Sequence, residues 1–141
     1  MIALFDTNIV LDILLNRDSF FKDSFSSVVA ADYNGYEICI TSNAVTDIYY
    51  ICNKLVGRQK ANELIEKTIG LFRILEINEL DCFNAYEFPK SLDFEDAIVY
   101  ANAKRNKAYC IITRDNEHFK SDEIKVYTPG SFLESHKKPW K

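Results

Sequence analysis

Short apolar runs alternate with helix-length segments along this chain, and that alternation limits its fold more than any other feature. "IALF" (Ile2 to Phe5), "EICI" (Glu37 to Ile40), "LFRILEI" after Gly70, "AYCIIT" (Ala108 to Thr113) and "IKVYT" before Pro129 read as strands. "AYCIIT" is the clearest buried one. The segments between them carry helical spacing. In "NIVLDILL", Ile9 and Ile13 repeat at four residues, as do Val10 and Leu14. A second helix begins at Asp18, presents Phe21, Phe25, Val28 and Val29 on one face, and ends near Asn34-Gly35. Thr41-Ser42-Asn43 supplies capping chemistry for a helix to about Leu55, with Ile48, Ile51, Cys52 and Leu55 at apolar positions. Further helices run from Arg58 to Thr68, from Glu79 to Glu87, and from Asp93 to Asn106. A short helical turn is expected over Asp115 to Phe119, and Pro129 opens a terminal helix at a position that tolerates proline.

Strands separated by helices require βαβ crossovers. The expected architecture is therefore α/β, three layers, with a central, mainly parallel sheet of four to five strands covered on both faces. At 141 residues the chain is read as one domain over 1–134, followed by a loose basic tail over 135–141. A chain of this length buries roughly two thirds of its unfolded surface and needs no disulfide or structural metal. Cys39, Cys52, Cys82 and Cys110 form no Cys-x-x-Cys pair, and His118 and His136 are the only histidines. That argues against a thiolate zinc site. Apolar surroundings predict buried, reduced thiols and a cytoplasmic setting. No apolar run reaches the ~20 residues of a membrane span, and the first residues lack the pattern of a signal peptide.

The net charge of −4 argues against a simple electrostatic binder of nucleic acid. It leaves open an enzyme whose acids hold metal ions. Parallel sheets place ligands beyond the carboxyl ends of their strands, and carboxylates gather there. Asp6 follows the first strand, Asp115 follows "CIIT" by way of Thr113 and Arg114, and Asp47 lies in the first turns after the second strand. Asp93 and Asp96 share one face at the start of their helix. Singly, Asp6, Asp93, Asp96 and Asp115 also read as helix caps. Jointly, acids on one sheet edge raise each other's pKa and destabilise the fold unless a cation sits among them. An all-oxygen donor set selects Mg²⁺ or Mn²⁺, and the chemistry to expect is phosphoryl transfer or phosphodiester hydrolysis.

The segments "LFDTNIVLDILL", "SNAVTDIYYI", "DFEDAIVYANAKRNKAYCIITRD" and the following "EHF" resemble those of PIN-domain proteins, the class that includes VapC-like ribonuclease toxins of bacterial toxin–antitoxin pairs. The resemblance covers nearly the whole chain. It implies a PIN-like domain in which Asp6, Asp96 and Asp115 are metal ligands and Asp47 fills an acidic position that is often glutamate. Aspartate is one methylene shorter, so its contact can run through water. Asn8 and Thr113 match polar positions that line the site and hold carboxylates or phosphate. Asp93 is either a supporting acid or the cap of its helix. Arg114 is a candidate for substrate phosphate, or a surface residue of its turn. Lys54, Arg58, Lys104, Arg105 and Lys107 offer further phosphate contacts or are simply solvated. Glu95 is assigned to another helix face, and Asp12 to the surface or a salt bridge.

The implied activity is hydrolysis of RNA with Mg²⁺ or Mn²⁺, by in-line attack that leaves a 5′-phosphate and a 3′-hydroxyl. The implied partners are an RNA substrate, an antitoxin protein and a second copy of the chain, since adjacent Tyr49 and Tyr50 cannot both face one core. An RNA-processing nuclease that is not a toxin, and a PIN-fold binding module without catalysis, are the alternatives. A haloacid-dehalogenase-like phosphatase would need a second aspartate where Asn8 stands, and a receiver domain would need a lysine that "CIITRD" does not offer.

Overall fold

The structure, a computed structural model, describes residues 1–89, 92–115 and 123–140. Along the chain run β1 (Ile2–Phe5), α1 (Thr7–Leu14), α2 (Phe21–Tyr33), β2 (Glu37–Thr41), α3 (Ser42–Val56) and α4 (Arg58–Leu71). They are followed by β3 (Arg73–Leu75), α5 (Glu79–Tyr86), α6 (Phe94–Arg105), β4 (Cys110–Ile112), β5 (Lys125–Tyr127) and α7 (Pro129–Ser135). The five strands pair in the order β3-β2-β1-β4-β5, and every pairing is parallel. The chain steps outward from β1 to β2 and β3, then returns to the other side of β1 for β4 and β5. That reversal makes the crevice beyond the ends of β1 and β4 the switch point of the sheet.

Side-chain alternation sorts the sheet into two cores. Ala3, Phe5, Ile40, Cys110 and Ile112 face a layer that includes Ile9 and Val10 of α1, Val28 of α2, Ile48 and Cys52 of α3, Leu64 of α4 and Phe132 of α7. Leu4, Cys39, Leu75 and Ile111 face Val99 and Ala103 of α6 on the opposite side. Both faces are dry, which is why these strands read as continuous apolar runs rather than alternating ones. Gly57 joins α3 to α4 with φ 86° and ψ 164°, a combination essentially reserved for glycine. The two helices therefore follow each other across a single residue.

Several sequence expectations are corrected here. α2 buries Ser24, Ser27, Val28, Ala30 and Ala31, while Phe25 is exposed and stacks on Phe21 with centroids 5.6 Å apart. Leu55 is likewise exposed near the end of α3. Cys82 is exposed because α5 turns Asp81 and Ala85 inward instead. Gly70 lies inside α4 rather than before a strand. Asp115 belongs to no helix, and residues 116–119 of the expected turn lie outside the described residues. The tail is held at its start. His136 stacks on Phe132 at 3.9 Å, its Nε2 lies 3.0 Å from the Tyr36 hydroxyl, and Asn34 donates to the carbonyl of Lys137.

Asp81 ties α5 to α6. It is fully buried and accepts from Nε of Arg105 at 2.8 Å, Nη2 of Arg105 at 3.0 Å and Nδ2 of Asn102 at 3.1 Å. It also completes a capping box with Asn78. Burial alone would raise its pKa, but the bonds from Arg105, Asn102 and Asn78 outweigh that and hold it below the ordinary value. A carboxyl with a lowered folded pKa stabilises the fold above the ordinary carboxylate range and loses that contribution as pH falls through its depressed value. Asp81→Asn should therefore flatten the acid side of a plot of melting temperature against pH, as read by thermal melts at a series of pH values. An unchanged acid side would remove Asp81 from the account.

Candidate active site

Asp6 is the first residue past β1 and the N-cap of α1. Its backbone N–H donates to the Ile112 carbonyl at 3.0 Å, so the β1–β4 ladder runs up to the site. Its Oδ1 accepts from the Thr7 N–H at 2.8 Å and its Oδ2 from the Thr113 hydroxyl at 2.9 Å. Thr113 is fully buried at the end of β4, and its Oγ1 in turn accepts from the Asp115 N–H at 3.1 Å. Neighbouring parallel strands thus lock one carboxylate from two sides. Each Asp6 oxygen makes one of these bonds, and a carboxylate oxygen has a second lone pair for another partner. Capping and cation binding are compatible at this residue.

Asp6, Asn8, Asp47, Asp93, Asp96 and Asp115 line one cleft of about 520 Å³, together with Thr7, Leu11, Asn43, Tyr50, Ile51, Glu95 and Val99. The elements explain the convergence. β1 and β4 deliver Asp6 and Asp115, the second turn of α3 delivers Asp47, and the start of α6 delivers Asp93, Glu95 and Asp96. Asp93 occupies the N-cap of α6 without a side-chain capping bond, so the capping reading does not account for its carboxylate.

Burial pushes the Asp6 carboxyl up, against the lowering effect of the bonds from Thr113 and Thr7, and the nearby Asp115 adds to the rise. Burial raises Asp47 as well. Glu95 is raised by burial and then by Asp47, Asp93 and Asp6. The acids therefore feel one another across the cleft. Among the described residues no three carboxylate, thiol or imidazole side chains close into a ready-made cage for an ion. The donor set still fits a hard cation, because Mg²⁺ keeps several waters and takes one or two carboxylates, with substrate oxygens completing the shell.

Two residues dismissed or unremarked in the sequence reading belong to this cleft. Spacing alone assigns Glu95 to another helix face. The cleft wraps around the first turn of α6, so adjacent residues both reach it, and the local run "DFED" was the available signal. Asn43 accepts from the Thr41 hydroxyl at 2.6 Å and faces the cleft rather than capping α3, which has no side-chain cap. Ser42 of the same triplet accepts from the Ile77 N–H.

Arg114 does not join the cleft. Its Nε and Nη2 donate to Asp12 at 3.0 and 3.2 Å, and its guanidinium lies 3.9 Å from the centroid of Phe20. Of the two expectations for Asp12, the salt bridge holds and the surface position does not. Asp12 is fully buried and also accepts from Ser24 and Arg17. Two other suggested phosphate cations are engaged elsewhere: Arg105 by Asp81, and Lys104 by Glu123 at 3.0 Å.

A doubly wound parallel sheet with a carboxylate cleft at its switch point defines an α/β domain built around an acidic, all-oxygen site. More narrowly, the chain belongs to the PIN domain family, whose sequence profile matches residues 3–117. It is similar to Ribonuclease VapC1 of Aquifex aeolicus (strain VF5), with 26% identity over 133 residues that cover 92% of this chain and 91% of that protein. The fold resembles that of DNA-bound VapBC from Salmonella typhimurium, with TM-score 0.71 and 14% identity over 92% of this chain and 98% of that one. It also resembles FitAcB from Neisseria gonorrhoeae, with TM-score 0.69 and 20% identity over 92% and 99% of the two chains. A toxin–antitoxin complex from Klebsiella pneumoniae matches with TM-score 0.68 and 22% identity over 90% and 97%.

Proposed function

We propose that this protein is a divalent-metal-dependent ribonuclease and the toxin of a toxin–antitoxin pair. The observation that carries the reading is the cleft itself: Asp6, Asp47, Asp96 and Asp115 face one space at the switch point, with Asp6 held by Thr113. Membership of the PIN family and the likeness to a named ribonuclease support it. Asp6, Asp96 and Asp115 would hold Mg²⁺ or Mn²⁺, and Asp47 would meet the ion directly or through water. A bound ion supplies a lowered water pKa and polarises the scissile phosphate. The protein's own contribution is orientation. Thr113 and the Thr7 N–H fix the rotamer of Asp6, while Asn8 and Asn43 offer neutral polar groups at the cleft wall. Asp93 and Glu95 add two further acids to the cleft lining, whose charge a bound cation would offset.

One of the solved structures with this fold is a toxin–antitoxin complex, which supports an antitoxin as partner. A homodimer and a cytoplasmic setting belong to the same reading. α5 exposes Leu80, Phe83 and Tyr86, side chains of the kind enriched at subunit contacts. The four cysteines are free thiols, as reducing compartments keep them.

The test pairs two measurements. Purified protein should cleave RNA with Mg²⁺ or Mn²⁺ and stop when EDTA is added. The same ions should raise its melting temperature, because a ligand that binds only the native state stabilises it. No cleavage together with no thermal shift at millimolar Mn²⁺ would sink the proposal.

A further inference from the structure

Resting on the ribonuclease reading, we infer that Tyr50 and Lys54 on α3 form a seat for one base and its phosphate beside the scissile bond. Asp47, Tyr50 and Lys54 are spaced three and four residues apart and therefore lie along one face of the helix. Tyr50 stands about 4.5 Å and Lys54 about 10 Å along the axis from Asp47. An acid facing the cation, an aromatic ring and a cation follow one another outward from the cleft.

Tyr50 is the side chain that this geometry singles out. It lines the acidic cleft yet is 65% exposed, in a helix whose neighbouring Ile48 and Cys52 are fully buried. Leu11, Ile51 and Val99 also reach this space, from three different helices, and the rest of its lining is polar. An exposed ring beside a phosphodiester-binding space is suited to stack a base, because every base presents a π-face and unpaired bases are read this way. The Lys54 ammonium lies 5.7 Å from the ring centroid, in the range of a cation–π contact that orders both side chains. Among the described residues Lys54 has no ion pair, unlike Lys104 and Arg105, so its charge is available to a phosphate.

The experiment measures cleavage of a short single-stranded RNA of mixed sequence by the wild type, Tyr50→Ala, Tyr50→Leu, Tyr50→Phe and Lys54→Ala. Stacking of one base is worth roughly a five- to hundredfold change in binding. Tyr50→Ala and Tyr50→Leu should raise KM for the single strand by about tenfold, with kcat changed far less, while Tyr50→Phe keeps the wild-type KM. Lys54→Ala should raise KM less and flatten its salt dependence. The Mn²⁺-induced rise in melting temperature should be the same in all variants, because none of them alters a metal-facing acid. Wild-type cleavage with an unchanged KM in Tyr50→Ala overturns the seat and leaves the ribonuclease reading standing. A KM that Tyr50→Leu preserves also overturns it, in favour of simple apolar contact. A wild type that does not cleave the RNA overturns both readings.

Discussion

Asp6→Asn is expected to lower RNA cleavage by at least about a hundredfold and, in the same sample without metal, to raise the melting temperature. The first effect follows from its proposed place as a metal donor, since groups that only orient such donors already cost about 10- to 100-fold when changed. The second follows from electrostatics. Burial raises the Asp6 carboxyl, and Asp115 raises it further, so the ionised form is held in the fold at a cost. A carboxyl with a raised folded pKa favours the fold below the ordinary carboxylate range and loses that contribution as pH rises through its raised value. At neutral pH the cost is fully present, and asparagine removes it. Asparagine also keeps an oxygen for the Thr7 N–H. The gain should vanish once wild type and variant are compared in acid, below the ordinary range. Melting curves with EDTA and with Mn²⁺, run beside a cleavage assay, check both halves. Only the wild type should be stabilised by Mn²⁺. A variant that melts no higher than the wild type in EDTA would remove this electrostatic cost from the account.

Arg114→Ala should destabilise the protein by about 3 kcal/mol while leaving the KM for RNA unchanged in whatever fraction stays folded. Asp12 is fully buried, and Arg114 meets it with two donors. Removing one partner of a buried pair typically costs about 3–5 kcal/mol, because the remaining charge stays buried. The lower end applies here, since Arg17 at 3.4 Å and Ser24 at 2.9 Å remain as partners. For a domain of this size that is a drop of roughly 10 °C in melting temperature. Denaturant titration gives the free energy and steady-state cleavage gives the KM. A stable variant with a raised KM would return Arg114 to the phosphate role that its place beside Asp115 in the sequence suggested.

The two residues illustrate what sequence can and cannot say about a site. Asp6 was legible because a carboxylate at the end of a buried apolar run is costly, and a cost that persists in a folding sequence has a compensating partner. The sequence leaves Arg114 between two roles, because adjacency along the chain says nothing about which side of the backbone a side chain leaves. Asp12 lies 102 positions away, and no local pattern joins the two. Glu95 was lost for the opposite reason. Helical spacing assigns faces on an isolated cylinder, whereas a cleft closing around a helix start collects more than one face. Spacing says only that Tyr49 and Tyr50 cannot both face one core; that Tyr50 reaches the cleft depends on how α3 sits against α1.

The sequence by itself determined the element order, the parallel sheet and the carboxylates at strand ends, because these follow from local periodicity and from the cost of charge beside an apolar core. Tertiary structure alone decided which charges meet: Asp81 with Arg105, Asp12 with Arg114, and six acids facing one cleft. The reason is physical. Periodicity is written in neighbours a few residues apart, while Coulomb and hydrogen-bond partners are chosen by distance in space, which the order of the strands sets.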